Sequence, residues 1–176
     1  KFDEPFRDIF GVQDSIAERV AGTLAPHRSP TLAQRRKTRR TESADAYQLY
    51  TQAFYNQQRR DKDGLPDAVR DYEAALLLDP GYVDAWGGLS RTLAVQGVFG
   101  RKPPATVFPR AREAALKALN LDPESAEAHA AFAHMLVVYD REFKLADEHY
   151  SIAKRLNPGV PEFYLLISLN KVNLGH

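Results

Sequence analysis

The side chains able to move protons near neutral pH are five histidines, and their setting argues against catalysis. His149 follows Glu148, but nothing resembles the HExxH spacing that seats a zinc ion. Carboxylates stand singly or as loose neighbours in turns, as in Asp61 and Asp63 or Asp140 and Glu142, with no apolar setting to part their pKa values for acid–base work. Cysteine is absent, which excludes disulfides, thiolate metal sites and thiol nucleophiles. The stretch GVFGRKPP (Gly97 to Pro104) is no phosphate loop; it reads as an insertion between two helices, a candidate flap beside a binding surface. The expectation is a chain without catalytic residues, metal or cofactor.

Charge offers a second kind of site. Lys and Arg number 24 against 23 Asp and Glu, a net charge of +1, so no global field points to nucleic acid or membrane. The cations are nevertheless uneven: the run HRSPTLAQRRKTRR ends in Arg35, Arg36, Lys37, Arg39 and Arg40, with no acid between Glu18 and Glu42. These five residues are the candidate anion-binding group. No aromatics interleave with them, so nucleic-acid readout is not expected, and a solvated linker is the plainer reading.

The elements that would position any site repeat. Pro80, Pro123 and Pro158 each close a Leu-rich helical run. Six residues after each comes a ring, Trp86, His129 or Tyr164, and three further an apolar residue, Leu89, Phe132 or Ile167. Before each proline, small and large slots recur as Ala68, Tyr72, Ala75; Ala111, Ala115, Ala118; and Ala146, Tyr150, Ala153. Tyr47 takes the ring slot of an earlier helix, ADAYQLYTQAF. Apolar residues at three- and four-residue steps predict amphipathic helices over about 43–60, 65–78, 83–96, 108–121, 125–139 and 143–156, with a last helix from near Pro161. The prolines sit just beyond helix ends because the residue before proline is pushed out of the α region.

This pattern resembles the tetratricopeptide repeat (TPR), a helix–turn–helix unit of about 34 residues. The resemblance implies an all-α fold: a TPR solenoid of about three and a half units over residues 43–80, 81–123, 124–158 and 159–176. Ahead of it come an amphipathic helical segment in residues 1–26 and a basic linker in 27–42. One unit cannot bury its own apolar face, so neighbours must stack.

The resemblance also implies a concave groove lined by the first helix of each unit. Its expected lining is Gln48, Gln52, Tyr55 and Asn56, then Arg91, Ala94 and Val95, then Ala130, His134, Val137 and Val138, then Leu165 and Leu169. A mixed surface of this kind suits a peptide, a partner helix or a neighbouring domain. Gln48 and Gln52 do not supply the Lys/Asn/Arg pattern by which some TPR domains clamp chaperone carboxylates. Gly87 and Gly88, set inside a helix, mark close helix packing or room for a ligand backbone.

The opening FDEPFRDIFGVQDSIAERVAGTL (Phe2 to Leu24), with Ile9, Val12, Ile16 and Val20 on one face, is similar to a segment preceding TPR arrays in bacterial regulators. These include winged-helix transcription regulators of the CadC type and class III adenylate cyclases with TPR tails. The likeness implies a non-enzymatic interaction or signal-relay module, or a ligand-sensing segment, of a longer protein. The compartment stays open: cytoplasmic beside a cyclase, periplasmic in a transmembrane regulator. An apolar last helix around Tyr164, Ile167 and Leu169 suggests pairing with a second copy.

Overall fold

The computed structural model describes residues 41–59, 64–99 and 101–175. The expected leading helix and the basic run with Arg35, Arg36, Lys37, Arg39 and Arg40 lie outside the described residues. Among those described there are seven helices and no strand: α1 (Ala44–Gln58), α2 (Gly64–Leu78), α3 (Val83–Val98), α4 (Pro104–Leu121), α5 (Ala126–Met135), α6 (Phe143–Leu156) and α7 (Pro161–Leu174). They pack as the pairs α1–α2, α3–α4 and α5–α6, with α7 laid on α6, and α3 also meets both α1 and α5. The architecture is the all-helical solenoid that the repeat predicts.

Each pair is closed by the same local chemistry. The N–H groups of Asp79, Asp122 and Asn157 make the last helical bonds, to Ala75, Ala118 and Ala153. The side chains of the same three residues then accept from the N–H two residues on, at 2.9 Å for Gly81, 2.9 Å for Glu124 and 3.3 Å for Gly159. This is the Asx turn, in which a short polar side chain imitates a backbone turn. Six residues past each proline the ring returns to that proline's carbonyl: Trp86 Nε1 at 2.9 Å from Pro80 O, His129 Nε2 at 2.9 Å from Pro123 O, and Tyr164 Oη at 3.3 Å from Pro158 O. The slot requires a flat apolar body with one polar tip, which Trp, His and Tyr share.

The next helices start on caps. Ser43 Oγ accepts from Ala46 N at 3.1 Å, and Ser125 Oγ from Ala128 N at 3.2 Å. Acids occupy the first turns of α1, α3 and α5, as Asp45, Asp84 and Glu127, where they face the positive end of the helix dipole. The small slots are the core: Ala68, Ala75, Ala111, Ala115, Ala118, Ala146 and Ala153 have no exposed surface, and Tyr72 and Tyr150 fill the space beside them. Gly88 is required by that packing, since a Cβ there would lie 2.4 Å from the Tyr72 ring.

Two local departures were not expected. The insertion lengthens both flanking helices. Helix α3 runs through Gly97 to Val98, and α4 begins at Pro104, ahead of the expected start at Phe108. Proline suits a first helical turn because its missing N–H has no partner there anyway. Gly97 lets α3 close on Val107 and Phe108 (a Cβ would stand 2.4 Å from the Phe108 ring), and Arg101 N and Lys102 N both bond to Gln96 O. Second, α5 widens into a π-helical turn at Leu136–Asp140, ended by Arg141 in the left-handed region at φ 62°. Glu142 N reaches back to Leu136 O at 2.9 Å, and Asp140 is held by Arg112 Nε of α4 at 2.9 Å.

Candidate partner-binding groove

The repeat slots expected to line an inner face fall on α1, α3, α5 with its π-helical extension, and α7. On α1, Gln48, Gln52 and Tyr55 recur at helical spacing and are exposed, Tyr55 to 65%. Asn56, expected beside them, is instead buried at 3% and turned toward α2, its Nδ2 donating to Asp71 Oδ2 at 2.8 Å. The slot rule could not see that contact because it pairs residues in different helices. On α3 the stripe is Asp84, Gly87, Arg91 and Val95, with Ala94 buried beneath it. On α5 it is Glu127, Ala130 and His134, continued by Val137 and Val138 of the π-helical turn; Ala130 is buried and the others partly so. On α7, Leu165 and Leu169 are exposed at 59% and 55%, and Val172, one turn on, at 70%.

An ion pair fastens the middle of this face. Arg91 of α3 meets Glu127 of α5 at 2.6 Å, both side chains being largely covered. The Glu127 side chain crosses α3 at Gly87, where a Cβ would stand 2.9 Å from its Cγ. The room that Gly87 leaves is therefore taken by a neighbouring unit's carboxylate, the packing reading of the glycine pair.

Below the ion pair lies a tyrosine cluster that the sequence reading missed. The ring of Tyr50 stands 5.8 Å from that of Tyr72 and 5.0 Å from that of Tyr82. Tyr72 Oη donates to Gln57 Oε1 at 3.2 Å. Burial raises the Tyr72 phenol to about 12 and raises Tyr50 and Tyr82 further, with the Asp84 carboxylate adding to all three. The phenols stay neutral hydrogen-bonding groups under any ordinary condition. His134 is pushed down to about 4, first by burial and then by the Arg91 charge, so it is a neutral imidazole at neutral pH and does not sense pH in the physiological range.

The other two described histidines are structural neighbours. His129 and His149 meet through their Nδ1 atoms at 2.9 Å, and Phe132 packs edge-on against His149. Among the described residues no group of three or more His, Asp or Glu side chains is placed to hold a metal ion. No described helix is long and apolar enough to cross a membrane.

Solved structures share this arrangement of helices. The first TPR domain of Spaghetti (RPAP3), bound to the HSP90 peptide SRMEEVD, aligns with a TM-score of 0.59 and 14% identity over 77% of this chain and 100% of its own. The Sgt2 TPR domain from Aspergillus fumigatus gives 0.60 and 16%, over 76% and 81%. The Yersinia enterocolitica type III secretion chaperone SycD, in complex with a peptide of the translocator YopD, gives 0.53 and 21%, over 76% and 92%. The fold is that of a TPR domain. No family model and no curated protein matches the chain. At these identities the TPR likeness is one of fold, and the inner-face side chains are this chain's own.

Proposed function

We propose that the inner face of this TPR domain docks a peptide, a helix or a neighbouring domain, as the protein-interaction and signal-relay part of a larger bacterial regulator. The carrying observation is the exposed side chains of Gln48, Gln52 and Tyr55 at one end and of Leu165 and Leu169 at the other, with the partly buried Arg91, Val95, His134 and Val138 in the slots between. Two structurally similar TPR proteins were solved with peptides, one from HSP90 and one from YopD, which supports the same use here. The regulator setting is supported by the opening segment's similarity to those that precede TPR arrays in CadC-type transcription regulators and TPR-bearing adenylate cyclases. A ligand-sensing role in such a protein is the alternative.

Peptides selected from a random display library against the 176-residue chain test this reading. Binding should fall by about tenfold or more when Gln52, Arg91 and His134 are replaced together, with helicity unchanged by circular dichroism. Selected peptides indifferent to all three would remove the groove from the function.

A second reading has its own observation. Tyr164, Leu165, Leu169 and Val172 leave an apolar stripe of α7 in solvent, each more than 40% exposed, which favours pairing of two copies through that helix. Sedimentation of the chain with and without Leu169→Asn decides it.

A further inference from the structure

Helix α1 is exposed in slots that are buried in its equivalents. Counted from the ring slot, Thr51 and Phe54 of α1 correspond to Ser90 and Leu93 of α3, and to Ala133 of α5 and Leu136 of the π-helical turn. Ser90 and Ala133 have no exposed surface, and Leu93 and Leu136 keep only 1% and 3%. Thr51 is exposed, and Phe54 is 44% exposed. Helix packing explains the difference. α3 packs on α2 of the pair before it, and α5 on α4. Leu89 and Leu93 of α3 line one trough with Leu76 and Leu77 of α2, and the Tyr72 ring of α2 fills the space over Gly88. Among the described residues no helix precedes α1, so none of them stands where α2 stands to α3.

We infer that the chain's own leading segment takes this place, its stripe of Ile9, Val12, Ile16 and Val20 seated on Thr51 and Phe54 as α2 is seated on α3. This does not depend on what the groove binds. Spacings of three and four residues put the stripe on one flank of a helix. Ala17 and Ala21 stand beside it, small residues of the kind through which Ala118 of α4 meets Ala128 of α5. A helix from Asp8 to Leu24 would run about 25 Å, the size of α2 with 15 residues and α4 with 18. The stretch 25–42 between it and α1 reaches about 60 Å when extended, so the segment can return along α1 in either direction. The nearer run is the wrong chemistry. From His27 to Arg40 the one large aliphatic side chain is Leu32, and the cations Arg35, Arg36, Lys37, Arg39 and Arg40 are costly to lay on Phe54. The tether favours the segment over a separate partner, because a flexible linker holds its end at an effective concentration of about millimolar. Docked there, it backs α1 as α2 backs α3 and α4 backs α5, and seats the helix that carries Gln48, Gln52 and Tyr55.

Hydrogen exchange read by mass spectrometry on the full 176-residue chain tests this. Residues 8–24 should exchange about tenfold or more slowly than an unstructured chain. Ile16→Asn with Val20→Asn should abolish that protection, and so should Thr51→Lys with Phe54→Asn, made at exposed positions of α1. Unchanged exchange in α3 to α6 shows that the array still folds in each variant. The chain has no cysteine, so spin labels at Glu18→Cys and Gln58→Cys give a second reading with the stripe and its seat intact. One narrow separation between the labels is expected, broadened by either variant pair. Exchange of 8–24 at the unstructured rate, or a broad separation in the chain with only the two labels, would overturn the docked helix. Protection that survives Thr51→Lys with Phe54→Asn would place the helix elsewhere and overturn this seat; protection that survives Ile16→Asn with Val20→Asn would overturn the stripe. Protection that falls on dilution, together with a dimer in sedimentation, would give the face to a second copy's segment and overturn docking within one chain.

Discussion

His129 and His149 share one proton arrangement. Nε2 of His129 donates to the Pro123 carbonyl, so in the neutral ring Nδ1 is the acceptor, and His149 then donates from its own Nδ1 across 2.9 Å. The contact joins α5 to α6 with both tautomers fixed. Burial first, then the His129 charge, lowers the His149 pKa, with Glu148 opposing. A lowered folded value means stability fully present above the unfolded pKa, about 6.5, and lost as pH falls below it. Thermal melts should therefore show stability declining below about pH 6.5, with a shallower decline in His149→Phe.

His134 adds to the same acid window for a different reason. Its folded value of about 4 lies under the unfolded 6.5, so the unfolded chain takes up a proton between those two pH values while the folded one does not. The loss reaches on the order of 3 kcal/mol by pH 4. Urea titrations at intervals from pH 7.5 to 4.5 should show the His134→Gln chain losing less than the parent; equal losses would place the acid sensitivity elsewhere.

Gly88→Ala sets two effects against each other. Alanine favours the helix by about 1 kcal/mol, yet its Cβ meets the Tyr72 ring at 2.4 Å, and overpacking a filled core costs about 1–3 kcal/mol. Net destabilisation is expected, since Tyr72 is held in place by Gln57 and by the Tyr50 ring. The double variant Gly88→Ala with Tyr72→Leu should cost less than the sum of the two singles in a denaturant cycle.

The Arg91–Glu127 pair crosses from one helical pair to the next. With about a fifth to a quarter of each side chain exposed, its coupling should be about 1 kcal/mol, between the surface and buried ranges. A double-mutant cycle with Arg91→Met and Glu127→Gln measures it, and raising the salt from 0.05 to about 0.5 M should shrink it.

Trp86→Phe keeps the ring and removes the Nε1 donor to Pro80 O. The expected loss is about 1 kcal/mol, the usual worth of one such bond. His129→Phe should lose more, because it breaks two contacts, to Pro123 and to His149.

The fold was legible because its signals are local. Asp-Pro and Asn-Pro endings, rings six residues on and alanines at fixed offsets all lie within one unit, and each has a direct geometric cause. The π-helical turn at Leu136–Asp140 was not legible: LVVYD carries no breaker, and the widening goes with contacts made from outside, such as Arg112 to Asp140. The start of α4 was misplaced because Pro103 and Pro104 look like loop residues, although the second is also a helix-start signal. For the expected groove, slot counting misplaced Asn56, which is buried, and passed over Glu127 as the partner of Arg91. Both turn on a partner from another helix, Asp71 in one case and Arg91 in the other.

The joints from Pro80 to Trp86, Pro123 to His129 and Pro158 to Tyr164 each close across six residues. Contacts so short in sequence make little demand on loop closure, so the chain can begin to order at any joint and spread outward. The same locality divides the molecule when it is stressed. A lesion at His129 should loosen α5 and α6 before α1 and α2 respond, so that hydrogen exchange reads as a gradient along the chain.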